Sequence, residues 1–168
     1  MIYLGIILLA IVVYLLCGFR VVHPNEVAVV ECLGKFDKVW NEGIHWFFPG
    51  VYRIAKRVSL QESSVHASGP VATKDDVIME AEARLFYRVV DAEKFTYGVQ
   101  NYYDACTNLI MTTLRNFVGE LKSDEVEKSI GSIEAKAGDV IADATKLWGV
   151  EITKFEIKDI MKIGNFIN

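Results

Sequence analysis

Residues 77–89 read VIMEAEARLFYRV, and this stretch decides what kind of fold the chain can adopt. Its odd positions hold Val77, Met79, Ala81, Ala83, Leu85, Tyr87 and Val89; its even positions hold Ile78, Glu80, Glu82, Arg84, Phe86 and Arg88. Successive side chains of a strand point to opposite faces. A period of two therefore predicts one long strand with one face on a core and the other largely in water. Glu80, Glu82 and Arg84 are read as solvated strand charges, because no histidine or nucleophile accompanies them.

Working outward, Thr73-Lys74-Asp75-Asp76 reads as a tight turn into that strand, and residues 63–74, with Ser68-Gly69-Pro70, as the most loop-like stretch. Downstream, Asp91 is placed to cap a short helix through Phe95. Asn101 or Asp104 opens a longer one, with Tyr102, Cys106, Leu109, Ile110, Leu114 and Phe117 at helical spacing and Gly119 at its end. Ser123-Asp124 restarts the pattern. Val126, Ile130, Ile133, Ala137, Val140, Ala144 and Leu147 then step alternately by four and three, as in a coiled-coil seam. Val126, Ile133, Val140 and Leu147 are thus candidates for a contact between protomers, with packing on the domain's own sheet as the alternative. Gly131-Ser132 is a candidate break, with Ser132 as a new cap. Gly149 ends the helical text, and residues 150–160 (VEITKFEIKDI) predict a closing strand whose apolar phase slips near Lys154, as a bulge would cause. Strands first, helices later and a final strand predict an α+β domain with a mixed or antiparallel sheet.

Upstream the text is β-like as well. Val21-Val22 and residues 26–32 (EVAVVEC) are rich in β-branched residues, and Leu33-Gly34-Lys35-Phe36 supplies a turn. Residues 43–50 (GIHWFFPG) hold three adjacent aromatics, awkward as a half-buried strand or as a solvated loop. Residues 51–60 form a further strand candidate carrying Arg53, Lys56 and Arg57.

Composition splits the chain in two. It has 168 residues, 52% of them hydrophobic, and a formal net charge of −4, yet residues 1–19 carry no charge at all. Residues 2–19 would rise about 27 Å as a helix, close to the hydrocarbon thickness of a bilayer. Ile2 opens the run, Phe19 closes it and Arg20 stops it. A cleaved signal peptide would want a basic residue before the apolar core and small residues after it, and neither is present. The reading is a single transmembrane anchor over residues 1–20. With no Lys or Arg before the span and Arg20 after it, the positive-inside rule places the remainder on the cytoplasmic side. The three cysteines, Cys17, Cys32 and Cys106, suit a reducing compartment. Cys17, at the membrane boundary, is a candidate for palmitoylation.

Chemistry-bearing motifs are missing. His23, His45 and His66 stand far apart with no cysteine beside them, so no metal site is expected. There is no Gly-x-Ser-x-Gly elbow and no phosphate-cradling glycine run, and no cofactor is expected. Mild acidity argues against a nucleic-acid partner. The reading is a protein that binds and arranges and is not an enzyme.

The order of the short motifs then matters: Arg20-Val21-Val22-His23-Pro24-Asn25-Glu26, Leu33-Gly34-Lys35-Phe36, Gly43-Ile44-His45-Trp46, Thr73-Lys74-Asp75-Asp76-Val77, Tyr87-Arg88-Val89-Val90-Asp91, Thr112-Thr113-Leu114-Arg115 and Trp148-Gly149-Val150 through Ile160. In that order the chain resembles the stomatin, prohibitin and flotillin (SPFH, band-7) superfamily, stomatin-like members most closely. The resemblance implies a non-enzymatic membrane protein that lies against the bilayer, assembles into homo-oligomers, organises membrane microdomains and modulates channels or membrane proteases. An accessory subunit for one protease or channel is the alternative. The resemblance also makes residues 44–48 similar to a second membrane-touching segment, with Trp46, Phe47 and Phe48 at the interface and Arg53, Lys56 and Arg57 near anionic headgroups; the alternative is that the rings point into the core. Lys128 to Ser132 departs from the charged run usual there, and residues 161–168 stand where the family's long coiled-coil helix would begin. Residues 21–70 and 71–160 are expected as the two parts of the domain.

Overall fold

A computed structural model of the chain describes residues 2–16, 18–48 and 50–162. It divides into two units, Met1–Gln61 and Glu62–Asn168. The first begins with helix α1 (Ile2–Leu16), followed by β1 (Phe19–Val22), β2 (Glu26–Cys32), β3 (Lys35–Trp40), β4 (Gly43–Trp46) and β5 (Tyr52–Ser59). β1 pairs with β4, and β2 lies between β3 and β5, all antiparallel. The β2–β3 hairpin closes through Leu33 and Gly34, both at positive φ (51° and 82°). That is the backbone a two-residue hairpin needs to match strand twist. Val22, Ala28, Val30 and Trp40 form this unit's core, with Phe47, Tyr52 and Ile54 packed against it.

The apolar head departs from expectation. Residues 2–19 are not one helix: α1 has 15 residues, a rise of about 23 Å, while Phe19 and Arg20 already belong to β1. Backbone pairing with β4 takes these residues out of the helix. No helix among the described residues is long and apolar enough to cross a membrane. Cys17 lies outside the described residues.

The second unit runs β6 (Ser63–Ala72), β7 (Ile78–Val89), α2 (Ala92–Tyr97), α3 (Tyr102–Gly119), α4 (Ser123–Thr145), a 3-10 turn (Lys146–Trp148) and β8 (Val150–Lys162). The sheet order is β6-β7-β8, antiparallel throughout. The alternation of residues 77–89 does what it predicts, with Met79, Ala81, Ala83, Leu85 and Val89 buried. α3 packs over β6 and α4 over β8. Cys106, Ile110, Leu114 and Val118 of α3 and Val126, Ile133, Ala137 and Ile141 of α4 close the core. The expected caps are in place: Asp91 accepts from Lys94 N, and Asn101 from Asp104 N.

Two local expectations fail. The loop-like residues 63–74 are mostly strand β6, because Val65, Ala67 and Val71 fall on alternate buried positions and β7 supplies the ladder partners. Gly69 lets the sheet come close to α3: a Cβ there would lie 3.2 Å from Met111 Cε. Nor does Gly131-Ser132 break α4, which is continuous over 23 residues. A helical glycine costs only about 1 kcal/mol relative to alanine, less than burying the Val126 and Ile133 stripe on either side of it gains. Near Lys154 the predicted slip is real: the β7–β8 register shifts between Phe86 and Tyr87, leaving Thr153 as the extra residue.

Asp75 ties the β6–β7 turn to the start of α4. Thr73 Oγ1 donates to its Oδ1 at 2.6 Å, and Ser123 donates through N (3.0 Å) and Oγ (2.9 Å). These donors, Thr73 first and then Ser123, hold the carboxyl down at about 2. A depressed carboxyl contributes its full stabilisation above the unfolded value of about 3.9 and loses it as the pH falls toward the folded value. Asp75→Asn is therefore expected to lower the melting temperature at pH 7 and to flatten the acid limb between about pH 4 and pH 2. Thermal melts followed by circular dichroism across that range check it.

Candidate membrane-contact face

The register of the β1–β4 ribbon sorts its side chains. Phe19 lies opposite Trp46 and Val21 opposite Ile44, while Arg20 faces His45 and Val22 faces Gly43. Because alternate residues share a face, Phe19, Val21, Ile44 and Trp46 form one apolar patch. They are 51%, 53%, 73% and 42% exposed. Phe48 extends it, 50% exposed and edge-on to Trp46 at 5.1 Å between ring centroids. The other face turns inward. Val22 enters the core, and the His45 ring stacks on Trp40 at 4.7 Å with its Nε2 2.8 Å from Asn41 O. Phe47 also turns in, 5.6 Å from Trp40, with the Arg20 guanidinium 5.7 Å from its ring. Of the three aromatics expected at the interface, two face out and the middle one packs in, as a period of two dictates.

The apolar patch follows directly on α1, whose Tyr3, Ile6, Ile7, Leu8, Leu9, Val13 and Tyr14 are all exposed. Gly18 makes the junction. Its carbonyl accepts from Phe47 N at 3.1 Å. A Cβ at this position would overlap Phe47 O and lie 2.7 Å from Trp46 Nε1. No sequence signal singles out Gly18, and Val21 is legible only as part of a strand; the pairing partner that puts both at this face is a tertiary fact.

The other expected residues are dispersed. Arg53 Nε donates to Glu31 Oε2 at 2.7 Å, and that carboxylate side chain is only 8% exposed, so Arg53 is committed to an ion pair. Lys56 and Arg57 follow on β5, opposite Val29 and Ala28. Val126 and Ile133 are buried in their own unit, whereas Val140 and Leu147 are exposed, so the coiled-coil spacing covers two different faces of the chain. Glu82 stands 3.3 Å from Lys158 and 3.7 Å from His66 on the strand surface.

Burial pushes the Cys106 thiol up to about 11 and raises the Tyr102 phenol, both in the core beside Tyr87. A thiol so placed stays protonated and is a poor nucleophile. Among the described residues no three His, Cys, Asp or Glu side chains converge to hold a metal ion.

Residues 20–163 match the SPFH domain / Band 7 family. The chain is 34% identical over 140 residues to human stomatin-like protein 2, mitochondrial, a match covering 83% of this chain and 39% of that protein. It is 32% identical over 159 residues to a stomatin homolog of Pyrococcus horikoshii, covering 93% of this chain and 59% of that one. An uncharacterized protein of Methanothermobacter thermautotrophicus is 32% identical over 163 residues, covering 96% and 51%. The chain spans about half the length of the curated relatives it matches.

The Gly18 junction has a measurable consequence. Gly18→Ala forces a methyl group against Phe47 O and the Trp46 ring, and overpacking of this kind costs roughly 1–3 kcal/mol. The variant is expected to lower the urea midpoint of the first unit, read by tryptophan fluorescence, while leaving the melting of the second unit unchanged.

Proposed function

Because this chain belongs to the SPFH domain / Band 7 family, we propose that it is a non-catalytic scaffold that rests on a lipid bilayer and self-associates there. In this role it arranges membrane proteins, such as proteases or channels, within a patch of membrane. The observation that carries the reading is the common face of Phe19, Val21, Ile44, Trp46 and Phe48 at the exit of the apolar helix α1. Five large apolar side chains held in water are costly, and an interface removes that cost: full burial of one such side chain is worth roughly 1.5–3 kcal/mol. Contiguous exposed apolar surface of this kind marks a contact with lipid or protein. The neighbouring α1, apolar along its length, favours lipid.

In this arrangement α1 sits in the hydrocarbon, the ribbon face lies at headgroup depth, and the domain stands on the cytoplasmic side. Lys56 and Arg57 contribute attraction to anionic lipid, about 1 kcal/mol each when close to the surface. Arg53 contributes less, since Glu31 already neutralises it. The scaffold acts by position and by number of copies.

The test is depth-resolved. In vesicles whose acyl chains carry bromine near the headgroup, the wild-type chain is expected to show stronger tryptophan quenching than Trp46→Phe, which keeps Trp40 and Trp148. Equal quenching in wild type and Trp46→Phe would take the ribbon off the membrane.

A further inference from the structure

Among the described residues, the non-glycine positions with positive φ are Asn25 at 62°, Asp76 at 58° and Leu33 at 51°. Asparagine and aspartate enter this left-handed region readily, because their short polar side chains bond to nearby backbone. A leucine enters it only at a conformational cost. Leu33 also takes the first position of the two-residue β2–β3 turn, ahead of Gly34. A turn of this kind favours asparagine or aspartate there. Packing within the chain does not repay the cost, since Leu33 is 78% exposed. Nor does Leu33 stand alone. Its N–H donates to Val51 O at 2.9 Å, and Val51 N donates to Phe48 O at 3.3 Å. These two bonds lay the β2–β3 turn beside the link from β4 to β5. Exposed apolar surface therefore runs from Phe48, through Val51 at 40% exposed, to Leu33 at the tip. Lys35 follows the turn and is exposed as well.

We propose that the tip of the β2–β3 hairpin is a second lipid contact, with Leu33 and Val51 entering the bilayer interface beside Phe48. This deepens the membrane reading above and rests on it. The occupant follows from three features. The apolar strip is continuous, through Phe48, with the ribbon face already assigned to the interface. A leucine held in an unfavourable backbone region and in water is a standing cost, and transfer of its side chain out of water offsets that cost. Lys35, two residues on, places a cation where anionic headgroups would meet it, while its own alkyl stem can lie along the apolar surface. An asparagine at position 33 would serve the turn better and the interface worse. Stability of the unit and contact with lipid therefore pull this one position in opposite directions.

Two variants of the full chain test the proposal. Leu33→Trp, made in the Trp46→Phe background, puts a reporter at the tip and keeps a large apolar residue there. In vesicles of phosphatidylcholine and phosphatidylglycerol with acyl chains brominated near the headgroup, it is expected to be quenched beyond its Trp46→Phe parent. Vesicles of the same lipids without bromine give the baseline. Leu33→Asn installs the residue that the turn favours, and its melting temperature, followed by circular dichroism, is expected to equal or exceed that of the wild type. If Leu33→Trp is quenched no more than its parent while Trp46 of the wild type is quenched, the proposal falls and the membrane reading stands; the tip is then left for a protein partner. A Leu33→Asn chain that melts below the wild type also overturns the proposal, because Leu33 would then serve packing. Quenching at neither position removes the membrane reading and this proposal with it. Quenching at the tip with Trp46 unquenched keeps the tip on lipid and takes only the ribbon off.

Discussion

The antiparallel register between Phe19–Val22 and Gly43–Trp46 is the constraint on which the first unit depends. It sends Val22 and His45 toward Trp40 and leaves Phe19, Val21, Ile44 and Trp46 facing out. A slip of one residue would exchange the two sets, burying the apolar patch and exposing core residues. The Phe47–Gly18 backbone bond holds this register at its open end, and the absence of a side chain on Gly18 is what permits the approach. One local geometry thereby sets both the stability of the unit and the apolar face it leaves exposed.

The second unit is organised differently. Its middle strand, β7, has neighbours on both sides and buries its alternating residues, while α3 rests on β6 and α4 on β8. Asp75 then fixes where α4 begins, through hydrogen bonds that span 48 residues of sequence to Ser123. With the middle strand satisfied, the chemistry left over lies at the edges: one closed by Tyr103, Arg115 and Pro70, the other held by a single glutamate.

Much of this was legible in the sequence. The alternation of residues 77–89, the helical spacing after Asn101, the caps at Asp91 and Asn101 and the slip near Lys154 each report a local periodicity or hydrogen bond, and each has its counterpart in the fold. The misreadings share a cause. Ser, Gly and Pro between 63 and 74 look like loop because composition reports local preference, whereas a ladder to β7 is a distant partner's contribution. Gly131 looks like a break because propensity is local, whereas the buried stripe of α4 is tertiary. The apolar head reads as a helix through Phe19 because hydropathy is blind to the pairing that takes Phe19 and Arg20 into a sheet.

By itself the sequence determined the long strand over residues 77–89, the helices that follow Asp91 and Asn101, that the remainder after the head is α+β, and that the chain carries the ordered motifs of its family. Those properties follow from side-chain period, turn chemistry and composition, all of which act over a few residues. Only the tertiary structure decided which aromatics face out, that Phe47 is core, that a side chain at position 18 would collide with Phe47 and Trp46, that Arg53 is neutralised by Glu31, and that Glu134 occupies the Ile157 N–H. Each of these depends on register between segments far apart in the chain. Register is set by backbone hydrogen bonds and close packing, and neither is written in the identity of any single residue.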